Sequence, residues 1–297
     1  MGKNKKTRKK LQELTFKDSF MFAAVMMDEE NAKGFLERAL DVMIDHVDIS
    51  YEKSIIYNPE YKGVRLDVFM KDDNNNHFNV EMQVANQNIS KRSRYYHSQM
   101  DMELLESGAD YEELSDTYVI FICDFDPIGL GKYRYTIRHT LEEDDSYDYD
   151  DGRHTIFLST VGTNDEEVSE ILVRFLEYAG ADNRHCNDDY SDEYVSRLQQ
   201  SVEKIKYDRE WGKRYMLLDE MLKDEYNAGK EDGRIEGKAE GIADSIIDIL
   251  NDIGSVSGNL ESRIRLIDNV DVLANLVKKA ASVQSAKEFE AELDKLS

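Results

Sequence analysis

Asp67, Glu81 and Gln83 are the residues of this chain whose types and spacing could do metal chemistry. They lie in GVRLDVFMKDDNNNHFNVEMQV, residues 63–84. There Val64, Leu66, Val68 and Met70 alternate with a period of two, and Phe78, Val80, Met82 and Val84 repeat the pattern after a polar break. Both runs read as strands. With Asp72 to Asn76 as the loop, Lys71 pairs with His77, and Asp67 falls across from Glu81 on the face opposite the apolar residues. Directly opposed residues of an antiparallel pair have Cβ atoms roughly 4.5–5.5 Å apart, and like charges there destabilise unless something sits between them. A divalent cation answers that need, because Mg2+ is held by one or two carboxylates while waters and substrate phosphates complete an octahedron at about 2.0–2.1 Å. The competing reading is a solvated strand face, which needs no function in a chain with 62 acidic residues.

The elements that must position these residues follow from the rest of the pattern. Residues 17–47 give two helical segments, DISYEKSIIY reads as a strand ahead of the hairpin, and SKRSRYYHSQMDMELLESG is a helix that stops at Gly108. TYVIFICDF is a nearly continuous apolar run, the mark of a strand covered on both faces. The order helix, three strands, helix, strand describes an α/β core whose mixed sheet is flanked by helices. KYRYTIRHTL and RHTIFLSTVG add a second strand pair around the acidic loop EEDDSYDYDD, and the chain is mostly helical from Glu166 onward. Glycine recurs at 229, 233, 237 and 241 within this helical region. Each costs about 1 kcal/mol against alanine in a helix interior, so the repeat marks either an exposed connector or a seam for close helix contact.

Composition limits the function classes. A net charge of −24 and a pI near 4.6 argue against passive binding to polyanions, since Lys and Arg supply most non-specific nucleic-acid affinity. The acid is concentrated in residues 142–151 and 187–194, whereas base clusters in the first ten residues and in SKRSRYYHS, residues 90–98. Two cysteines, Cys123 and Cys186, exclude a disulfide framework. No run approaches the ~18 apolar residues of a membrane span, and Phe20 to Met27 lacks the flanks of a signal peptide, so a cytoplasmic protein with no membrane partner is expected.

KDSFMFAAVM, RLDVFMK, NVEMQV, RSRYYHSQM and EDGRIEGKAEG occur in that order over roughly residues 15–250. Together they resemble the PD-(D/E)XK nuclease superfamily and, more narrowly, the PD-(D/E)XK nuclease family transposases related to the recombination-promoting nucleases. The resemblance implies a restriction-endonuclease-like core with a long helical C-terminal extension. It also implies cleavage of DNA phosphodiesters with Mg2+, or Mn2+ in its place, held by Asp67 and Glu81, with Gln83 at the third catalytic position. That position is usually Lys, so a cation from elsewhere is wanted, and Lys91, Arg94 and Gln99 on the following helix are the DNA or transition-state contacts it implies. Asp18 matches an acidic position on the first helix and equally suits a helix N-cap. His77 and His97 read as a loop flank and a helix-surface residue. The expected organisation is a basic arm at 1–14, the nuclease-like core at 15–200, a helical extension at 201–254 and a helical cap at 255–297. A homo-oligomer through the C-terminal helices is expected as well. The alternative is a catalytically weak or inactive nuclease fold acting as a DNA-binding or assembly module.

Overall fold

A computed structural model of the chain describes residues 9–51, 54–55, 64–147 and 149–296. A short 3-10 turn at Leu11–Glu13 buries Leu11 and Leu14; residues 1–8 of the expected basic arm lie outside the described residues. Helices α1 (Ser19–Met26) and α2 (Glu29–Leu40) precede strands β1 (Val47–Tyr51), β2 (Ser54–Ile55), β3 (Val64–Arg65), β4 (Val68–Asp72) and β5 (His77–Gln83). Helix α3 (Ser90–Leu104) then leads to β6 (Thr117–Cys123), β7 (Arg134–Ile137) and β8 (Arg153–Ser159), followed by α4 (Glu170–Ala179), α5 (Glu193–Tyr207) and α6 (Arg209–Ile253). The DISYEKSIIY run is divided between β1 and β2, and its remaining residues lie outside the described ones.

Six strands form one mixed sheet in the order β1-β4-β5-β6-β8-β7. β1, β4 and β5 pair antiparallel, β5, β6 and β8 pair parallel, and β7 returns antiparallel to β8. β2 and β3 make a separate two-stranded ribbon. This is the helix-flanked α/β fold that the sequence implies. Its β4–β5 hairpin is closed by Asp72, whose Oδ1 accepts from the backbone nitrogens of Asn74 (3.0 Å) and Asn76 (2.8 Å). Asn75 adopts a φ of 65°, a left-handed conformation that asparagine tolerates better than most residues. The turn sets Lys71 opposite His77 and Val68 opposite Val80, the register expected from the alternation. A slip of one residue would exchange the two faces of β5.

One departure lies at the polar face, which is not solvated. Every residue of β5 is buried. The reason is the parallel pairing of β5 with β6: a parallel connection needs a crossover, and α3 supplies it by lying on that face. Tyr96 and Met100 of α3 join Leu66, Phe69, Val119, Phe121, Cys123 and Phe157 in one buried cluster. Leu66 thereby leaves the expected Val68 and Met70 side, because the chain bends at Asp67 between β3 and β4. His77 and His97, expected at a loop flank and on a helix surface, are both buried. His97 ties α3 to the sheet through Thr117 Oγ1 and Thr155 Oγ1, each at 2.9 Å, and burial lowers its pKa to about 3, so the ring is neutral. The opposite face, with Val68, Met70, Phe78, Val80, Met82, Ile120 and Ile122, is buried too.

The chain divides into two compact units, Met1–Tyr215 and Met216–Ser297. In the first, Phe16 packs edge-on against Phe22 and Phe175, and lies beside Tyr178. In the second, the end of α6 packs with α7 (Gly258–Arg265), α8 (Val270–Ala280) and α9 (Ala286–Leu293) around Ile246, Leu250, Leu260, Ile264, Leu273, Leu276 and Phe289. Ser257, Asn269 and Ser285 cap these three helices by accepting backbone hydrogen bonds at their first turns. Gly229, Gly233, Gly237 and Gly241 all lie inside α6, and nothing among the described residues stands within 4 Å of where a Cβ would be. No described helix is long and apolar enough to cross a membrane.

Candidate active site

The bend at Asp67 and the end of β5 bring two carboxylates together. The Asp67 backbone nitrogen donates to Glu81 Oε1 at 3.2 Å, and the Met82 nitrogen donates to Asp67 Oδ2 at 3.4 Å. Each acid therefore reaches across to the other's strand. Glu81 is 2 % exposed. Its carboxyl is pushed up to about 8, by burial first and by the Asp67 charge second, while Arg92 offsets part of the shift. The Asn79 amide lies on the same face, near enough to Glu81 to favour the charged form, yet neither of its side-chain polar atoms is hydrogen-bonded among the described residues. Gln83 turns its Nε2 to the Ala85 carbonyl at 2.6 Å and leaves Oε1 facing α3.

Arg92 occupies that position. Its Nη1 donates to Gln83 Oε1 at 2.6 Å and its Nη2 to Glu81 Oε2 at 2.9 Å, while Nε and Nη2 both donate to the Tyr96 hydroxyl, at 2.9 and 2.8 Å. The guanidinium carbon stands 5.3 Å from the Tyr96 ring centre and 5.4 Å from that of Phe121, within cation–π range of both. The first turns of α3 thus deliver a fixed positive charge above a strand end that carries an amide and a buried acid.

The structure places the other expected residues elsewhere. Lys91 and Arg94 flank Arg92 but point to solvent, and neither has an acidic partner within ion-pair distance among the described residues. Gln99 is buried two turns further along α3, about 10 Å from Arg92 at 1.5 Å of rise per residue. Asp18 is joined to the N-terminal segment: it pairs with Lys9 at 2.8 Å and accepts from the Thr15 nitrogen at 2.7 Å. It stands at the N-cap position of α1 but makes no capping hydrogen bond. Sequence reasoning overlooked Arg92, and the missing signal was helical phase. Positions 92 and 96 are one turn apart on the side that buries Tyr96 and Met100, whereas 91, 94 and 98 follow the exposed side.

The sequence pattern described as PD-(D/E)XK nuclease family transposase matches residues 15–228, most of the chain and all of the site. The chain belongs to this family. No curated protein and no solved structure was found to match it. The matched range takes in Asp67, Glu81, Gln83 and Arg92.

The residues present fit a divalent ion. Asp67 and Glu81 are hard oxygen donors held against each other's repulsion, and the Asn79 amide beside them is a buried polar group left unbonded. Among the described residues no cluster of three or more His, Cys, Asp or Glu forms an all-protein cage. Mg2+ does not require one, because waters and substrate phosphates complete its shell.

Proposed function

We propose that the chain is a Mg2+-dependent DNA endonuclease that hydrolyses phosphodiester bonds, with Mn2+ able to replace Mg2+. The observation that carries the reading is the half-buried Asp67 and the buried Glu81, two acids converging beside an amide and a guanidinium. Asp67 and Glu81 would hold the ion. When bound, it polarises the phosphate and lowers the pKa of a coordinated water. Gln83 orients that water through its amide, and Arg92 supplies the positive charge that an amide lacks. Lys91 and Arg94, exposed beside the site and without an ion-pair partner among the described residues, contact the DNA backbone and give an acidic protein a local cationic approach. A second copy pairs along α6, where Met216, Leu217, Met221, Leu222 and Tyr226 are exposed ahead of the glycine repeat.

One observation favours the second reading, a weak or inactive nuclease fold that serves as a DNA-binding or assembly module. Arg92 already occupies Glu81 Oε2, at 2.9 Å. Supercoiled plasmid incubated with the purified protein and Mg2+, Mn2+ or EDTA separates the two. Nicking or linearisation that EDTA abolishes is the expected result. DNA retardation without cleavage in either metal supports the module instead.

A further inference from the structure

We propose that Arg92 is the resident cation of the metal-free site, seated where the divalent ion binds and displaced when it enters. The proposal rests on the reading of Asp67 and Glu81 as metal ligands. Three observations carry it. First, Arg92 occupies an oxygen of a carboxylate assigned to the ion: its Nη2 donates to Glu81 Oε2 at 2.9 Å, while its Nη1 donates to the neighbouring Gln83 Oε1 at 2.6 Å. An ion bonded to Glu81 at about 2.0–2.1 Å needs a clear octahedral shell, and a guanidinium in hydrogen-bond contact with the same carboxylate crowds it. Two cations sharing one carboxylate also repel each other at short range.

Second, the exposures differ. The Glu81 side chain is 3 % exposed and that of Arg92 is 35 % exposed, so the carboxylate is fixed inside the fold while the guanidinium borders solvent. Arg92 has a long side chain and a way out. Glu81 has neither. Third, Arg92 has a holder besides its acid. Its Nε and Nη2 bond to the Tyr96 hydroxyl one helical turn further on, and the Phe121 ring centre stands 5.4 Å from its guanidinium carbon. This tether keeps the cation next to the site without the ion. The same tether keeps it near enough, once displaced, to face a phosphate brought in by the metal.

Ca2+ titration by calorimetry, at about pH 9 so that a proton on Glu81 does not compete with the ion, tests the exchange. Wild type, Arg92→Met and Tyr96→Phe are compared, with thermal midpoints in EDTA and in Ca2+. Arg92→Met should bind Ca2+ about tenfold or more tightly than wild type, should melt lower than wild type in EDTA, and should gain the larger thermal shift from Ca2+. Tyr96→Phe keeps the charge and loosens its holder, so it should tighten Ca2+ binding by about threefold. If Arg92→Met fails to fold, Tyr96→Phe carries the test alone. Affinity unchanged within twofold, or weakened, in the folded variants overturns the exchange and leaves Arg92 a structural ion pair. Absence of Ca2+ binding by wild type and variants alike overturns the metal reading itself, and the exchange with it.

Discussion

Glu81→Gln should remove the part of the pH dependence of stability that Glu81 contributes in the metal-free protein and stabilise it at alkaline pH. The carboxyl moves from 4.5 to about 8 on folding, chiefly through burial and then through the Asp67 charge. A raised acid pKa means that the folded state holds a proton which the unfolded chain releases. The stability from this group is therefore full below the unfolded value, near 4.5, and is lost as pH rises through about 8. At about 1.4 kcal/mol per pKa unit the ceiling is roughly 5 kcal/mol, and movement of Arg92 and water toward the ionised carboxylate reduces it to roughly 2–3 kcal/mol. In a unit the size of Met1–Tyr215, each kcal/mol moves the melting midpoint by about 2–4 °C. Scanning calorimetry in EDTA should show wild type losing roughly 5–10 °C between about pH 5.5 and pH 8.5, relative to Glu81→Gln. Added Mg2+ should return part of that loss to wild type and none to the variant. Parallel profiles for the two proteins would refute the reasoning, because they would mean that Glu81 ionises without a folding cost.

Asp67→Ala and Glu81→Ala should each reduce metal-dependent plasmid nicking to background, Gln83→Ala should lower the rate ~10²- to 10³-fold, and Gln83→Lys should retain cleavage; a dead Gln83→Ala beside an active Asp67→Ala reverses the assigned roles. His97→Ala breaks both threonine bonds and opens a cavity under α3, so urea unfolding should show a loss of roughly 2–4 kcal/mol. A loss under about 1 kcal/mol would mean that α3 is held by other contacts. Light scattering should give the full chain a multimeric mass and a chain ending at Tyr215 a monomeric one; equal monomeric masses remove the α6 pairing.

The hairpin was legible because two signals agree on it. Apolar alternation gives the strands, and the Asp72–Asn76 break gives the loop, so the register that sets Lys71 against His77 follows from counting. The apolar run of β6 was legible for a similar reason: Val119 to Cys123 read as covered on both faces, and they are. The burial of the acidic face was not. Periodicity distinguishes the two faces of a strand but does not say which of them receives a crossover helix. Arg92 was hidden by a related effect, because the sheet-facing side of α3 carries Ser93, His97 and Gln99 beside Tyr96 and Met100. A helix that buries polar residues shows no clean apolar stripe, and its phase cannot be read. Lys91 and Arg94 were the visible cations because they stand on the side where a charge needs no partner.

The β5-α3-β6 crossover also makes the site late in the order of synthesis. The hairpin that carries Asp67 and Glu81 leaves the ribosome complete at Gln83, before Arg92 and Tyr96 on α3 and Phe121 on β6 have been made. Thr155, one of the two anchors of His97, comes later still, on β8. Until those elements dock, both acids sit in water as ordinary carboxylates with no reason to hold an ion or an arginine. The site's geometry belongs to the sheet from β4 to β8 and not to the hairpin alone, so the hairpin transplanted onto another scaffold would carry the letters without the burial that shifts Glu81.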